Sequence, residues 1–262
     1  MQDFKDKVAV VTGGASGMGL AFANKFADEG MKVVLADIEA EPLAMAEAGI
    51  KAKGATVMAH RLDVSKPESV QALADRVFGE FGNVHILCNN AGVGGGAPKP
   101  TWDLSLADWE WVVGVNLWGV VHGIRSFMPR MVANGEEGHI VNTASMAGMG
   151  NGRGVYGITK HAVVALSESL YSELAQQESK LGVSVLCPGW VNTNILDAER
   201  NRPAEYGPAH NREDVPPQVA QMREMVREFV RNGFAPEEVA QMVFDAIREN
   251  KFYIFPVQPN IM

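Results

Sequence analysis

The segment Thr12-Gly13-Gly14-Ala15-Ser16-Gly17-Met18-Gly19 constrains this chain more than any other. An apolar run, Val8-Ala9-Val10-Val11, precedes it, and a helical pattern from Leu20 to Ala27 follows. The order is strand, glycine turn, helix. Such a turn brings backbone N–H groups close to a pyrophosphate, and the helix N-terminus adds partial positive charge. Glycine spacing alone is weakly specific, but a second signal accompanies it. Asp37 closes the next apolar run, Val33-Val34-Leu35-Ala36. An acidic side chain about 20 positions beyond such a turn is what a ribose-binding site needs. The turn therefore predicts a dinucleotide site at Gly13, Ser16, Gly17, Met18, Gly19 and Asp37.

The same alternation runs through the chain. Apolar β-type runs fall at about 7–12, 31–37, 55–60, 84–89, 138–144, 182–188 and 251–256, with helical patterns at about 17–29, 40–53, 67–81, 105–132, 155–178 and 236–249. Most of the strands read as continuous hydrophobic runs, which suits parallel strands covered on both faces. The expected fold is α/β: one doubly wound, Rossmann-type parallel sheet of about seven strands, with helices on both faces. The whole of 1–262 reads as one catalytic domain, because no linker divides it.

The segment 194–235 breaks this rhythm and contains Pro203, Pro208, Pro216 and Pro217. A structureless loop of that length is improbable in a compact domain. Val219, Met222, Val226, Phe229 and Val230 share one helical face within it, with Arg223, Arg227 and Arg231 elsewhere, so the segment reads as a lid carrying its own amphipathic helix.

Composition narrows the partners. A net charge of −8 argues against nucleic acid or an anionic membrane surface. The charged start Met1 to Lys7 lacks the apolar core of a leader, and no apolar run approaches the roughly 18 residues that a membrane span needs. Cys88 and Cys187 each end an apolar run and read as buried free thiols of a reducing compartment, so the expected location is cytoplasmic. The histidines show no paired metal-ligand spacing, and no metal is expected.

Tyr156-Gly157-Ile158-Thr159-Lys160 sets a phenol and an ammonium at i and i+4, on one helical face. A nearby cation favours the phenolate, which predicts a lowered Tyr156 pKa and a proton acceptor near neutrality. Ser145 follows the strand His139-Ile140-Val141-Asn142-Thr143-Ala144, and strand C-termini line the ligand crevice of such sheets. Ser145 is thus expected to bond the same oxygen as Tyr156.

With these residues assembled, the chain resembles the short-chain dehydrogenase/reductase family over nearly its whole length. The resemblance rests on Thr12-Gly13 through Gly17 and Gly19, Asp63-Val64, Asn89-Asn90-Ala91-Gly92, Asn116, Ser145, Tyr156 with Lys160, and Pro188-Gly189 with Thr193, in the family's order. It implies that Tyr156 is the general acid/base, that Ser145 orients the substrate oxygen, and that Lys160 binds the nicotinamide ribose. Asn116 is implied to hold a water linking Lys160 to solvent. Asp63 and Val64 are implied to contact adenine, and Asn90, with Ala91 and Gly92, to line the cofactor cleft. Pro188, Gly189, Val191 and Thr193 complete the cofactor set, Thr193 bonding the carboxamide.

Two features depart from the family pattern. Ala144 stands where the family often has serine, and the chain stops at Pro259-Asn260-Ile261-Met262 where many relatives carry a glycine-rich segment. Relatives pair long helices equivalent to 105–132 and 155–178, which implies a homodimer or homotetramer.

Cofactor choice follows from charge. A 2′-phosphate near Asp37, with Glu39 close in sequence, meets a carboxylate, and Ala15, Ser16 and Ile38 are not basic, so NAD is expected. At an effective dielectric of 20, unit charges about 4 Å apart repel by about 4 kcal/mol.

The expected reaction is NAD-dependent interconversion of a secondary alcohol and its ketone. Met146, Trp190, Ile195 and Leu196, joined by Met149 and Val155, predict a hydrophobic substrate. Apart from Lys160, Arg153 is the one cation close in sequence to Ser145 and Tyr156, so a small anionic hydroxy acid is disfavoured. The run Asn194 to Gly207 resembles the lid of bacterial dehydrogenases for benzylic alcohols of aryl ethers. Steroid and sugar alcohols remain alternative substrates. A catalytically silent NAD-binding protein is disfavoured by the intact Ser145, Tyr156 and Lys160, and a sugar-nucleotide epimerase by the lack of room for a further domain.

Overall fold

A computed structural model describes residues 1–95, 100–150, 152, 154–208 and 217–258. Arg153, lid residues 209–216 and the tail Pro259 to Met262 lie outside the described residues.

Seven strands form one sheet: β1 (Val8–Thr12), β2 (Lys32–Asp37), β3 (Val57–Arg61), β4 (Ile86–Asn89), β5 (Gly138–Thr143), β6 (Leu181–Leu186) and β7 (Tyr253–Ile254). Their order is β3-β2-β1-β4-β5-β6-β7, every pair parallel. All residues of β1, β4 and β5 are buried, as the continuous apolar runs require. The chain winds outward from β1 to β3, then crosses back to β4. That reversal opens a crevice at the C-terminal ends of β1 and β4.

The helices are α1 (Gly17–Asp28), α2 (Ala40–Ala52), α3 (Pro67–Phe81), α4 (Leu106–Val113), α5 (Gly119–Asn134), α6 (Gly154–Gln176), α7 (Pro217–Arg231) and α8 (Pro236–Glu249). On one face of the sheet, Phe22 and Phe26 of α1, Leu43 and Ile50 of α2, and Phe244 and Ile247 of α8 join a single apolar cluster. On the other, Leu73 and Val77 of α3, Phe127 and Met131 of α5, and Leu170 and Leu174 of α6 form the second. Each such side chain contributes about 1.5–3 kcal/mol on burial.

The expected helix at 105–132 is two helices. A π-helical turn, Gly114–Trp118, separates α4 from α5, and Asn116 at its centre is fully buried. The polar Asn116 and the flanking Gly114 and Gly119 weaken helical propensity there, whereas apolar spacing alone could not show the change of pitch. The last strand is also shorter than its apolar run, because Phe255 and Pro256 continue beyond the two paired residues.

Within the lid, Asn194–Asn201 and Ala204–Tyr206 are 3-10 turns, and α7 is the expected amphipathic helix. Its apolar stripe does not all turn inward. Val230 is buried and Val219 and Val226 are half-buried, but Met222, Met225 and Phe229 face solvent at 63%, 51% and 40% exposure.

Candidate active site

Ser145 ends the loop after β5, and Tyr156 lies in the first turn of α6. Their hydroxyls are hydrogen-bonded to each other. Ser145 Oγ also accepts from the Ala147 N–H at 3.1 Å, which leaves its own proton for the phenol oxygen. Lys160, one helical turn further, is buried, and its Nζ donates to the Thr143 carbonyl at 2.8 Å. The Nζ stands 5.7 Å from the centre of the Tyr156 ring. The sequence pattern thus brings three chemistry-bearing side chains together at the C-terminal end of β5.

The electrostatics correct one expectation. Burial pushes the Tyr156 phenol above its ordinary value, and the Ser145 hydroxyl opposes this less strongly. The Lys160 ammonium, 5.7 Å from the ring centre and bound to the Thr143 carbonyl, does not outweigh burial, which also brings its own pKa down to about 8. The isolated protein therefore holds Tyr156 as a neutral proton donor.

Asn116 is close by but spends its side chain elsewhere. Its Oδ1 accepts from the Val93 N–H at 2.8 Å, and its Nδ2 donates to the Val93 carbonyl at 2.9 Å. The amide thus fixes the loop that follows β4. A Cβ on Gly92 would lie 3.4 Å from both Asn116 Oδ1 and Lys160 Nζ, so the two groups flank one glycine. The same loop runs on against the phenol-bearing helix: a Cβ on Gly95 would stand 3.0 Å from Tyr156 Cβ.

At the crevice between β1 and β4, Gly13 has φ +66°, and a Cβ there would come within 2.9 Å of Ala91 Cα. Any larger residue would close the gap, so Gly13 keeps the two turns close. Thr12 Oγ1 accepts from the N–H groups of Asn90 and Ala91 at 3.0 and 3.1 Å, and Asn90 Nδ2 donates to the Thr12 carbonyl at 3.1 Å. Asn90 is thereby a brace between β1 and β4. Ser16, Gly17, Met18 and Gly19 open α1 with Gly17 at φ +52°, and the Thr193 methyl packs 3.1 Å from where a Gly17 Cβ would sit.

Asp37 ends β2. Its carboxylate accepts from the Ala15 and Glu39 N–H groups, both at 3.0 Å, while burial raises its pKa. Asp63 caps its own turn, Oδ1 accepting from Ser65 N–H and Oγ at 2.9 and 2.7 Å, with Val64 buried beside it. A glycine cradle with a carboxylate at the neighbouring strand end fits a dinucleotide.

Of the residues expected on the substrate side, Met146, Trp190, Ile195 and Leu196 are half-buried and Met149 is exposed. Val155 is not a crevice residue. It is buried beneath the site with Val93, Trp111, Val112 and Ala198. Pro188 and Gly189 hold the loop after β6, the Pro188 carbonyl accepting from Met146 N–H at 2.9 Å and Gly189 N–H donating to Pro256 at 2.9 Å. Val191 bridges to Phe234, and the Trp190 ring stacks on Phe229 of α7 with centroids 5.6 Å apart.

The family model described as short chain dehydrogenase matches residues 7–204. The chain belongs to the short-chain dehydrogenase/reductase family. Its oxidoreductases bind a nicotinamide cofactor, act on small molecules and are typically oligomeric. This short-chain dehydrogenase/reductase is 37% identical to the C alpha-dehydrogenase of Sphingobium sp. strain SYK-6, across 98% of this chain and 82% of that protein. It is 37% identical to the 1-deoxy-11-beta-hydroxypentalenate dehydrogenase of Streptomyces avermitilis, across 94% and 83%. Among solved structures, a short-chain dehydrogenase/reductase from Burkholderia phymatum in complex with NAD superposes with a TM-score of 0.91 at 45% identity, covering 98% of this chain and 90% of that one. A metagenomic short-chain oxidoreductase in complex with NADP gives 0.74 at 26%, covering 98% and 100%.

Sequence reasoning about this family member missed two arginines. Arg200 Nε and Nη2 donate to both carboxylate oxygens of Glu39 at 2.9 and 2.7 Å, which brings a cation to the end of β2. Arg202, whose side chain is 3% exposed, pairs with Asp108 of α4 at 2.9 Å and lies over the Trp111 ring. Both contacts span long sequence separations, and spacing carries no signal for them. The glycine run Gly94-Gly95 after Gly92 was legible and points to the close approach to Tyr156.

Proposed function

We propose that this oxidoreductase interconverts a bulky secondary alcohol, aryl-bearing alcohols foremost, and its ketone with NAD(H). The reading is carried by the hydrogen-bonded Ser145–Tyr156 pair beside buried Lys160, with the half-buried apolar Met146, Trp190, Ile195 and Leu196 as the expected substrate rim. When bound, the coenzyme supplies or accepts the hydride. Gly13, Ser16, Gly17, Met18 and Gly19 would hold its pyrophosphate, Asp37 its adenosine ribose, and Asp63 and Val64 its adenine. Asn90, Ala91 and Gly92 would line the cleft, and Pro188, Gly189, Val191 and Thr193 would flank the nicotinamide, whose ribose Lys160 would bind.

Ser145 orients the substrate oxygen by donating its hydroxyl proton, and Tyr156 exchanges a proton with that oxygen. In the reducing direction the neutral phenol is already the required acid. In the oxidising direction Tyr156 must become a phenolate, and the Lys160 ammonium on its ring face favours that charge. Asn116 positions the loop of Gly92 to Gly95 that faces both groups.

Selectivity for NAD is supported by the carboxylates of Asp37 and Glu39, which repel a 2′-phosphate. The residues 194–235 act as a substrate lid within one catalytic domain. We also propose a homodimer or homotetramer and a cytoplasmic location. Among the described residues no helix is long and apolar enough to cross a membrane.

A screen of NAD and NADP reduction across aryl-bearing, aliphatic, steroid and sugar alcohols tests the reading. Bulky aryl alcohols with NAD should give the largest kcat/KM, by at least ten-fold over the same alcohols with NADP. Equal efficiency with both coenzymes would remove the NAD assignment.

A further inference from the structure

Arg200 and Glu39 form an ion pair across 161 positions of sequence, at the strand end where a coenzyme ribose would bind. Each N–H-bearing nitrogen of the guanidinium is engaged. Nε and Nη2 hold the two Glu39 oxygens, and Nη1 donates to the carbonyl of Asp197 at 3.0 Å and to that of Asn194 at 3.4 Å. Glu39 is in turn fixed at the start of α2, its own N–H donating to Asp37 Oδ1 at 3.0 Å. Asp37, Glu39 and Arg200 thus form one cluster in which two carboxylates and one guanidinium leave one net negative charge.

We propose that Arg200 is a latent binding residue for a phosphate on the coenzyme's 2′-oxygen, and that Glu39 makes the protein selective for the unphosphorylated coenzyme by occupying that guanidinium. A phosphomonoester dianion presents the same paired oxygens to a guanidinium as a carboxylate does, with more charge. Glu39 is an intramolecular competitor and is therefore present at high effective concentration. Glu39→Gln keeps the shape, removes the competing charge and brings the cluster to neutrality. The lid thus carries a specificity determinant for the opposite end of the coenzyme from the reacting atoms. This inference rests on the NAD(H) reading above.

Isothermal titration of the full chain with adenosine 5′-monophosphate and adenosine 2′,5′-bisphosphate tests it, alongside kcat/KM for NAD and NADP. In the starting protein the monophosphate should bind more tightly. Glu39→Gln should move the ratio of the two affinities at least ten-fold toward the bisphosphate. Adding Arg200→Gln should cancel the gain, and adding Arg200→Lys should keep part of it. Arg200→Gln alone should move the ratio further from the bisphosphate. A general loosening of the lid cancels in the ratio. The proposal is overturned if Glu39→Gln leaves the ratio unchanged, or if the gain survives Arg200→Gln, because charge removal alone would then explain it. Tighter binding of the bisphosphate by the starting protein would instead overturn the NAD reading.

Discussion

Lys160 Nζ donates a 2.8 Å hydrogen bond to the main-chain carbonyl of Thr143, fastening the head of α6 to the end of β5. The bond holds an ammonium in a fully buried place, and burial brings its pKa from the ordinary 10.5 down to about 8. A buried charge of this kind costs stability, and the cost depends on pH.

The sign follows from proton counting. Between pH 8 and 10.5 the unfolded chain binds more protons at this lysine than the folded one does, so its contribution to stability rises with pH across that window. Below pH 8 the full penalty stands, of the order of 3 kcal/mol. Lys160→Met should therefore gain stability relative to the starting protein at pH 7, and the gain should shrink as pH rises from 8 to 10.5. Denaturant melts at several pH values measure this. A pH-independent difference would mean that the lysine has the same pKa in the folded and unfolded chain, so that burial does not weaken the ammonium.

Arg202 anchors the front of the lid. Its guanidinium pairs with Asp108, approaches Glu199 at 3.8 Å and donates twice to the Tyr206 carbonyl, all at 3% exposure. Asp108 also closes the capping box of α4 with Ser105. Arg202→Met removes the guanidinium that two acidic groups share, and breaking such a buried pair costs about 3–5 kcal/mol. A marked fall in Tm is expected. KM for a bulky alcohol should rise more than kcat falls, because Ala198 and Tyr206 pack with Trp111 behind the substrate rim. Unchanged thermal stability would show that the lid is not held by this pair.

The sequence carried most of the fold and the reacting groups, for identifiable reasons. Strand runs such as Val8 to Thr12 are apolar throughout because they are covered on both faces, so their number and most of their boundaries were legible. Ser145, Tyr156 and Lys160 meet because a strand end and one helical turn bring them together, which are local geometries. What escaped depends on contacts between distant segments. The π-helical turn at Asn116 is fixed by Val93, and the two lid arginines by Glu39 and Asp108. The phenol pKa was misjudged because adjacency to Lys160 is visible in sequence and the depth of burial is not.

The lid helix offers a direct test of substrate size. Phe229 stacks on Trp190 with Met222 and Met225 exposed beside it on α7. A bulky aryl alcohol should exceed ethanol or lactate in kcat/KM by a hundred-fold or more, a gap of about 2.7 kcal/mol that one or two buried apolar groups supply. Phe229→Ala should narrow it by raising KM for the aryl substrate. Hydrogen exchange should slow across Pro217–Arg231 when NADH and a substrate analogue are present. Equal exchange in both states would describe a permanently docked helix, and a preference for lactate would overturn the hydrophobic pocket.

The central claim is that Tyr156 exchanges the proton with the substrate oxygen. Tyr156→Phe keeps the ring over Lys160 and removes only the hydroxyl that bonds Ser145. Kinetics on an alcohol that the starting protein turns over, with NADH binding followed by calorimetry, test it most directly. A fall in kcat of roughly 10²–10⁴-fold, the usual range for a general acid–base group, is expected, with coenzyme affinity preserved. Activity within about three-fold of the starting protein at intact coenzyme affinity would contradict it and assign the proton transfer to another residue.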